Sequence, residues 1–328
     1  TIYPMFGKNE LYKELSRKAN EKGIKLLMDM IPNHCGSEHW WIKDPPTKDW
    51  FHYPNKKTNT THQRTTLWDP YASQIDEEHF KNGWFVKTMP DLNQDNELLS
   101  TYLIQNAIWW IEYAGLQGIR MDTYPYPDKH AMAQWNKRIN KEYPNFNIVG
   151  ETWIGDAAKL CYYQKDFPNK EGFNTHLKTI TDFPLMDAIH AAFNEEGGGW
   201  SDGLMRLYNS LANDHLYPNP KNMLVFPENH DAGRIYTILE EDHDKLKMVT
   251  AFTATVRGIP QWYYGSEILM TGKGHESHAD IRDDFPGGWP GDSINAFVSH
   301  GRTPEQNEMV NYLTKLMNFR KNSTIICS

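Results

Sequence analysis

GIRMD (118–122) is a short apolar run broken by one arginine and closed by a carboxylate. Arg120 and Asp122 stand two apart, so on an extended chain their side chains leave the same face. The same shape recurs along the chain. IKLLMDMIPNH (24–34), FNIVGET (146–152) and NMLVFPENHD (222–231) each lead from an apolar stretch into an acid or a histidine, and MPDLN (89–93) and GIPQWYYGSE (258–267) carry related polar endings. Buried parallel strands read this way as they reach one end of a sheet. Acidic groups then collect where several strand ends meet, which points to an enzyme.

Working outward, helical patterns separate these runs. ELYKELSRKANEKG (10–23) places Leu11, Leu15 and Ala19 on one side and stops at Gly23. Residues 97–115 carry apolar positions at helical spacing, and 127–143 open with a proline, a residue suited to a helix start. Two helices are expected over 186–213, broken by Gly197, Gly198 and Gly199, with further helices at 244–256 and 304–322. Strands are expected at 24–30, 118–122, 146–151, 222–228 and 258–264, with a weaker one at 178–183. Strands alternating with helices predict a parallel sheet covered on its outside, as in a barrel. Six strands are counted, and a closed barrel of this type needs eight.

The 328 residues suffice for one α/β barrel of about 250 residues with insertions. There are 34 basic and 42 acidic residues, a net charge of −8, and no basic run, which argues against nucleic acid as a partner. No apolar stretch approaches the roughly 20 residues that span a bilayer. Cys35, Cys161 and Cys327 are odd in number and far apart, so they suggest neither a disulfide framework nor a zinc site.

Between 40 and 85 lie Trp40, Trp41, Trp50, Phe51, Tyr53, Trp68, Tyr71, Trp84 and Phe85, in a span rich in Pro, Asn, Thr and His with no helical period. It reads as a long loop rather than a regular element, and such loops are usually functional. Flat rings with polar edges suit the faces of sugars. The competing reading is that the rings form the loop's own small core. The boundaries expected are 35–88 for this loop or small inserted domain, and 1–34 with 89–328 for the barrel.

In order and spacing the six segments resemble the signature regions of the α-amylase family of glycoside hydrolases. GSEHWW (36–41), DPYAS (69–73), MPDLN and RDDFPGGW (282–289) are similar to the neopullulanase and cyclomaltodextrinase-type enzymes of Bacteroidetes. The resemblance implies an incomplete (β/α)8 TIM barrel, α/β in class, with strands three to eight present and a long aromatic-rich loop after the third. It also implies that two strand–helix units and a C-terminal β-sandwich of the larger enzyme lie outside this chain.

Glycosidic hydrolysis needs an acid for the leaving oxygen and a carboxylate facing the anomeric carbon, about 5–5.5 Å apart in retaining enzymes. Asp122 and Glu151 end neighbouring strands and can converge. The resemblance implies that Asp122 is the nucleophile, Glu151 the general acid and then base, and Asp231 the third carboxylate, which steadies an oxocarbenium-like transition state. Arg120 is expected to keep Asp122 ionised, and Glu151 to sit in a drier pocket that raises its pKa. His34 and His230 match histidines that donate to sugar hydroxyls, and Trp153, Tyr124 and Arg234 are further candidate substrate contacts. Asn33 and Asp91 match residues that hold calcium in some relatives, although Tyr126 stands where those relatives often have histidine. Oxygen-rich loops suit calcium, and no cofactor is required for the chemistry itself. Asp29, Tyr264 and Glu267 are read as structural.

The function implied is retaining hydrolysis of α-1,4-glucosidic bonds in maltodextrins, cyclodextrins, starch or pullulan, with an oligo- or polysaccharide as partner. A transglycosylase on the same substrates is the nearest alternative. A catalytically silent sugar-binding relative is disfavoured by the presence of all three carboxylates. A metal-dependent lyase or aldolase barrel would explain the acids but neither the aromatic loop nor the NHD triplet. A homodimer of the full-length protein and a periplasmic or extracellular location complete the expectations, and the residues themselves decide neither.

Overall fold

The computed structural model describes residues 2–54, 58–274 and 278–326. Cys327 lies outside them. Two compact units account for the chain: residues 1–153 with 158–181, and residues 154–157 with 182–328.

The first unit carries four parallel strands in sequence order, β1 (Leu27–Met30), β2 (Gly118–Met121), β3 (Asn147–Gly150) and β4 (Thr179–Thr181). Its helices include Asn9–Glu21, Glu97–Ala114 and Lys129–Glu142. Helix 97–114 starts where the Asn96 side chain accepts from the amides of Leu98 and Leu99 and stops at Gly115, whose φ of 63° is the left-handed turn that glycine takes at low cost. Asp128 caps the next helix by accepting from His130 and Ala131, so Pro127 falls just before the cap rather than inside the first turn. Gly150 is fixed by packing, since a Cβ there would meet Leu177 Cδ2 at 2.7 Å and Tyr124 Cγ at 3.0 Å.

The second unit carries β5 (Met223–Val225) and β6 (Ile259–Pro260), also parallel, and helices Phe183–Asn194, Met205–Ala212, His243–Thr255 and Pro304–Asn322. The break expected at the three glycines falls between the first two of these. Thr303 and Gln306 close a reciprocal cap at the start of the last helix, with Pro304 as its first residue. The architecture is α/β with six parallel strands among the described residues, each shorter than the apolar run that announced it.

Residues 35–88 depart from the loop reading in one respect. Gln74–Lys81 form a helix, capped by Ser73 accepting from Asp76 N. Phe80 is its buried anchor, and eight residues are too short for a helical period to show. The loop's aromatics divide sharply. Trp41, Trp50 and Phe51 pack with Leu92 and Leu99 into a core of their own. Trp84 is buried and donates Nε1–H to His52 O, while the Thr58–Thr60 backbone bonds to Trp84 on both sides. Trp40 and Tyr71 are exposed, Tyr71 at 92%. For Trp41, Trp50 and Trp84 the core reading is the right one.

Candidate active site

Strand pairing builds the acidic cluster of the first unit. Asp29 on β1 lies in register with Arg120 on β2. The ladder runs on past the strand ends, with Asp122 N donating to Met30 O and Glu151 N to Met121 O, both at 2.9 Å. Asp122 and Glu151 thus leave neighbouring strands at matching heights. Arg120 reaches both. Its Nη1 donates to Asp122 Oδ1 at 2.8 Å, and to Asp29 Oδ1 and Oδ2 at 2.8 and 2.7 Å. Its Nη2 donates to Glu151 Oε1 at 2.6 Å. Two hydrogen bonds through one guanidinium keep the carboxyls no more than about 8 Å apart, which leaves room for the separation a retaining pair needs.

Glu151 is 6% exposed, in the drier setting expected of it. Its second oxygen accepts from Thr123 N at 2.9 Å. Thr123 adopts φ 48°, a conformation that costs a β-branched residue on the order of 1–3 kcal/mol. The turn aims the amide after Asp122 at Glu151. The bond from Arg120 to Glu151 was not foreseen from the sequence.

His34 is buried, stacks on Phe85 at 5.3 Å and shares a 3.3 Å bond between its Nδ1 and Asn33 Nδ2. Burial pushes its imidazole below the usual range, against the pull of the Asp122 charge. Phe85, His62 and Tyr126 meet beside it: His62 Nδ1 lies 3.1 Å from Tyr126 Oη, and Phe85 lies edge-on to both rings. The loop thus reaches the neighbourhood of His34 through Phe85 and His62 rather than through its tryptophans. Trp153 is half-buried two residues beyond Glu151. Tyr124 is buried, accepts from Asn136 Nδ2 at 2.7 Å, packs on Tyr163 and with it lines a cavity that also takes in Pro125 and Met132.

Asn33 and Asp91 are both 1% exposed. Asp91 Oδ2 bonds His52 Nδ1 at 2.7 Å, which ties residues 35–88 to the end of β1. Burial pushes the Asp91 carboxyl up to about 7, with His52 opposing. Asn33 Oδ1 and Asp91 Oδ1 are buried acceptors with no hydrogen-bond partner.

In the second unit Asp231 follows β5 on a loop clasped at its base. Glu228, fully buried, accepts from Ser266 Oγ and from Ile235 N, the latter at 3.0 Å, closing the turn 228–235. Inside that turn Asn229 Oδ1 accepts from Asp231 N and Ala232 N at 2.8 and 2.9 Å. His230 Nε2 lies 3.1 Å from Asp231 Oδ2. Burial opposes ionisation of Asp231, but His230, Arg282 and His278 outweigh it and bring its carboxyl down to about 2. Arg234 is fully buried over the Tyr263 ring at 4.0 Å and donates Nη1–H to Tyr264 O. The sequence offered it as a substrate contact; its guanidinium packs over Tyr263 and Tyr264, with Nε and Nη2 buried and lacking a hydrogen-bond partner. The residues that sequence reading missed are Thr123, His62, Glu228, His278 and Arg282. Glu228, beside the NHD triplet, and Arg282, the first residue of RDDFPGGW, carried a local signal.

The Alpha amylase, catalytic domain family model matches residues 1–316. A cyclomaltodextrinase from Geobacillus thermopakistaniensis is 30% identical over 280 residues, 83% of this chain and 43% of that protein. Alpha-amylase 3 of Dictyoglomus thermophilum is 29% identical over 322 residues, 93% of this chain and 58% of that protein. The crystal structure of an α-amylase from Geobacillus thermoleovorans, complexed with acarbose, superimposes with a TM-score of 0.76 at 27% identity, covering 98% of this chain and 62% of that one. The chain spans about half the length of the curated relatives it matches. A pair of strand-end carboxylates bridged by an arginine, on a sheet of this type and under this family match, leads to one conclusion: the chain belongs to the α-amylase catalytic-domain family.

Proposed function

We propose that this chain carries the catalytic centre of a retaining hydrolase of α-1,4-linked glucans, acting on maltodextrins, cyclodextrins, starch or pullulan. The observation that carries the proposal is Arg120 bonding Asp122 and Glu151 at once. Asp122 attacks the anomeric carbon as Glu151 gives a proton to the departing glycosidic oxygen. Glu151 then takes a proton from the water that breaks the glycosyl–Asp122 ester. His34, His230 and Asp231 hold sugar hydroxyls, and Asp231 faces the positive charge that develops on the ring. A sugar hydroxyl in place of water would turn the same intermediate to transfer.

The test is incubation of the full-length protein with starch, pullulan and β-cyclodextrin, following the anomeric form of the first product by NMR. Net retention with α-glucan breakdown supports the proposal. Inversion, or no action on any α-glucan, overturns it.

A structural cation forms a second part of this reading. The two partnerless oxygens of Asn33 and Asp91 suit a hard cation such as calcium, with backbone carbonyls to complete the shell. Calcium bound there would brace residues 35–88 against the end of β1 and supply no chemistry to the bond cleaved. Thermal unfolding with calcium and with a chelator checks it: an unchanged midpoint removes the cation from the reading. Sedimentation of the full-length protein likewise decides whether it is the homodimer that the resemblance allows.

A further inference from the structure

Arg282 belongs to RDDFPGGW, a segment that no step of the proposed reaction uses. Its guanidinium makes three contacts, all around one pair of side chains. Nη2 donates to Asp231 Oδ1, Nε donates to the backbone oxygen of His230 at 2.8 Å, and Nη2 also lies 2.9 Å from His278 Nδ1. Asp231 Oδ2 meanwhile meets His230 Nε2. One planar fork therefore holds the main chain of His230 and the carboxylate of Asp231 together. The imidazole is reached through the carboxylate, whose other oxygen meets His230 Nε2 at 3.1 Å.

His278 cannot replace it. Its Nδ1 lies 3.2 Å from Asp231 Oδ1 as well as beside the guanidinium. With a proton on Nδ1 it can donate to Asp231, and without one it can accept from Arg282, but it cannot do both. The guanidinium is the group in this cluster whose charge does not depend on pH.

The Arg282 side chain is 44% exposed, against 20% for Asp231. An ion pair so open to water adds little to folding stability. The contact therefore matters for the geometry it imposes more than for holding the fold. We propose that Arg282 is a positioning residue for the reaction, locking Asp231 and His230 into the mutual orientation in which both meet the sugar ring.

This rests on Asp231 being the carboxylate that steadies the transition state, so Asp231→Asn is measured beside the Arg282 variants in the full-length protein. Arg282→Ala should lower kcat on maltooligosaccharides by about 10- to 100-fold, with a much smaller change in KM, because the orientation matters most in the transition state. The melting midpoint should stay close to that of the unsubstituted protein. Arg282→Lys should recover only part of the loss, since a point charge cannot make both bonds. Added guanidinium at low concentration should restore Arg282→Ala saturably, and sodium chloride at equal ionic strength should not. An Arg282→Ala enzyme with kcat within about twofold of the original overturns the proposal. So does a loss that tracks a lowered melting midpoint and does not respond to guanidinium. If Asp231→Asn is inactive and Arg282→Ala is unaffected, only the role of Arg282 falls. If Asp231→Asn keeps its turnover, the role of Asp231 falls first and that of Arg282 with it.

Discussion

Asp122 and Asp231 both follow a strand end, yet they are held by different means. Asp122 is gripped by Arg120, two residues earlier on the same strand, and its backbone continues the ladder to β1. Asp231 stands on a turn closed by Glu228 and braced by Arg282, fifty-one positions away in the chain. The first carboxylate inherits its position from sheet geometry, which short-range pattern dictates. The second depends on two loops finding each other. In the proposed reaction this division suits the two roles, since a nucleophile tolerates little misplacement, because it must form a bond, whereas a carboxylate that acts through hydrogen bonds and charge can be carried on loops.

The largest effects should fall on the strand-held pair. Asp122→Asn and Glu151→Gln should each lower kcat by about a thousandfold or more while leaving circular dichroism unchanged. A near-native rate in either would break the contrast and the assignment together.

Next in size is the loop's own core. Trp41→Ala should destabilise the protein by about 3–5 kcal/mol, the usual cost of emptying a buried tryptophan site. Tyr71→Ala, at a 92% exposed position, should change stability by less than about 0.5 kcal/mol. Urea unfolding of both variants tests this, and equal effects would mean that the core described for residues 41–51 is not the one that holds the loop.

Between the two arginines, Arg120→Lys should impair kcat more than Arg282→Lys, because Arg120 bonds three carboxylates at once. Equal losses in a steady-state assay would erase the distinction between strand-held and loop-held acids.

The smallest effect concerns the clasp. Burial pushes the Glu228 carboxyl up to about 7, against the bonds from Ser266 and Ile235 and the charge of Arg234. The folded chain then keeps a proton that the unfolded chain has released. This contribution to stability is complete below the ordinary glutamate range and is lost as pH rises through about 7. Melting midpoints measured from pH 4.5 to 7.5 should fall with rising pH, and Glu228→Gln should flatten that fall. An unchanged slope would show that Glu228 does not close the turn.

The same contrast explains what the amino-acid order discloses. Each strand was legible because apolar runs ending in acids have one simple structural reading, and Arg120 and Asp122 share a face by alternation alone. Asp29 was legible as a strand residue but not as a partner of Arg120, since inter-strand register lies outside any single segment. Arg234 resembled a substrate contact because it sits three residues after Asp231. It is buried because Tyr263 and Tyr264, some thirty residues later, receive its guanidinium. Helix 74–81 was hidden by its brevity, and the buried tryptophans by a composition that suits a sugar platform and a small core equally well. Contacts between distant loops left no trace in local pattern, which is why Arg282, although it opens RDDFPGGW, showed its partners His230 and Asp231 only with the structure.

Arg120 also sets the electrical character of the first unit's acidic cluster. Three acids converge on it, and it brings one positive charge. With one of them ionised the positive charge of Arg120 is balanced, and with two ionised the cluster is already net negative. A sugar carries no charge to exploit that surplus at rest, and gains one only as its ring approaches a cation. On the proposed reaction, such a cluster would be nearly indifferent to the sugar as it binds and attractive to it as the bond breaks, with a single guanidinium setting how large that difference can be.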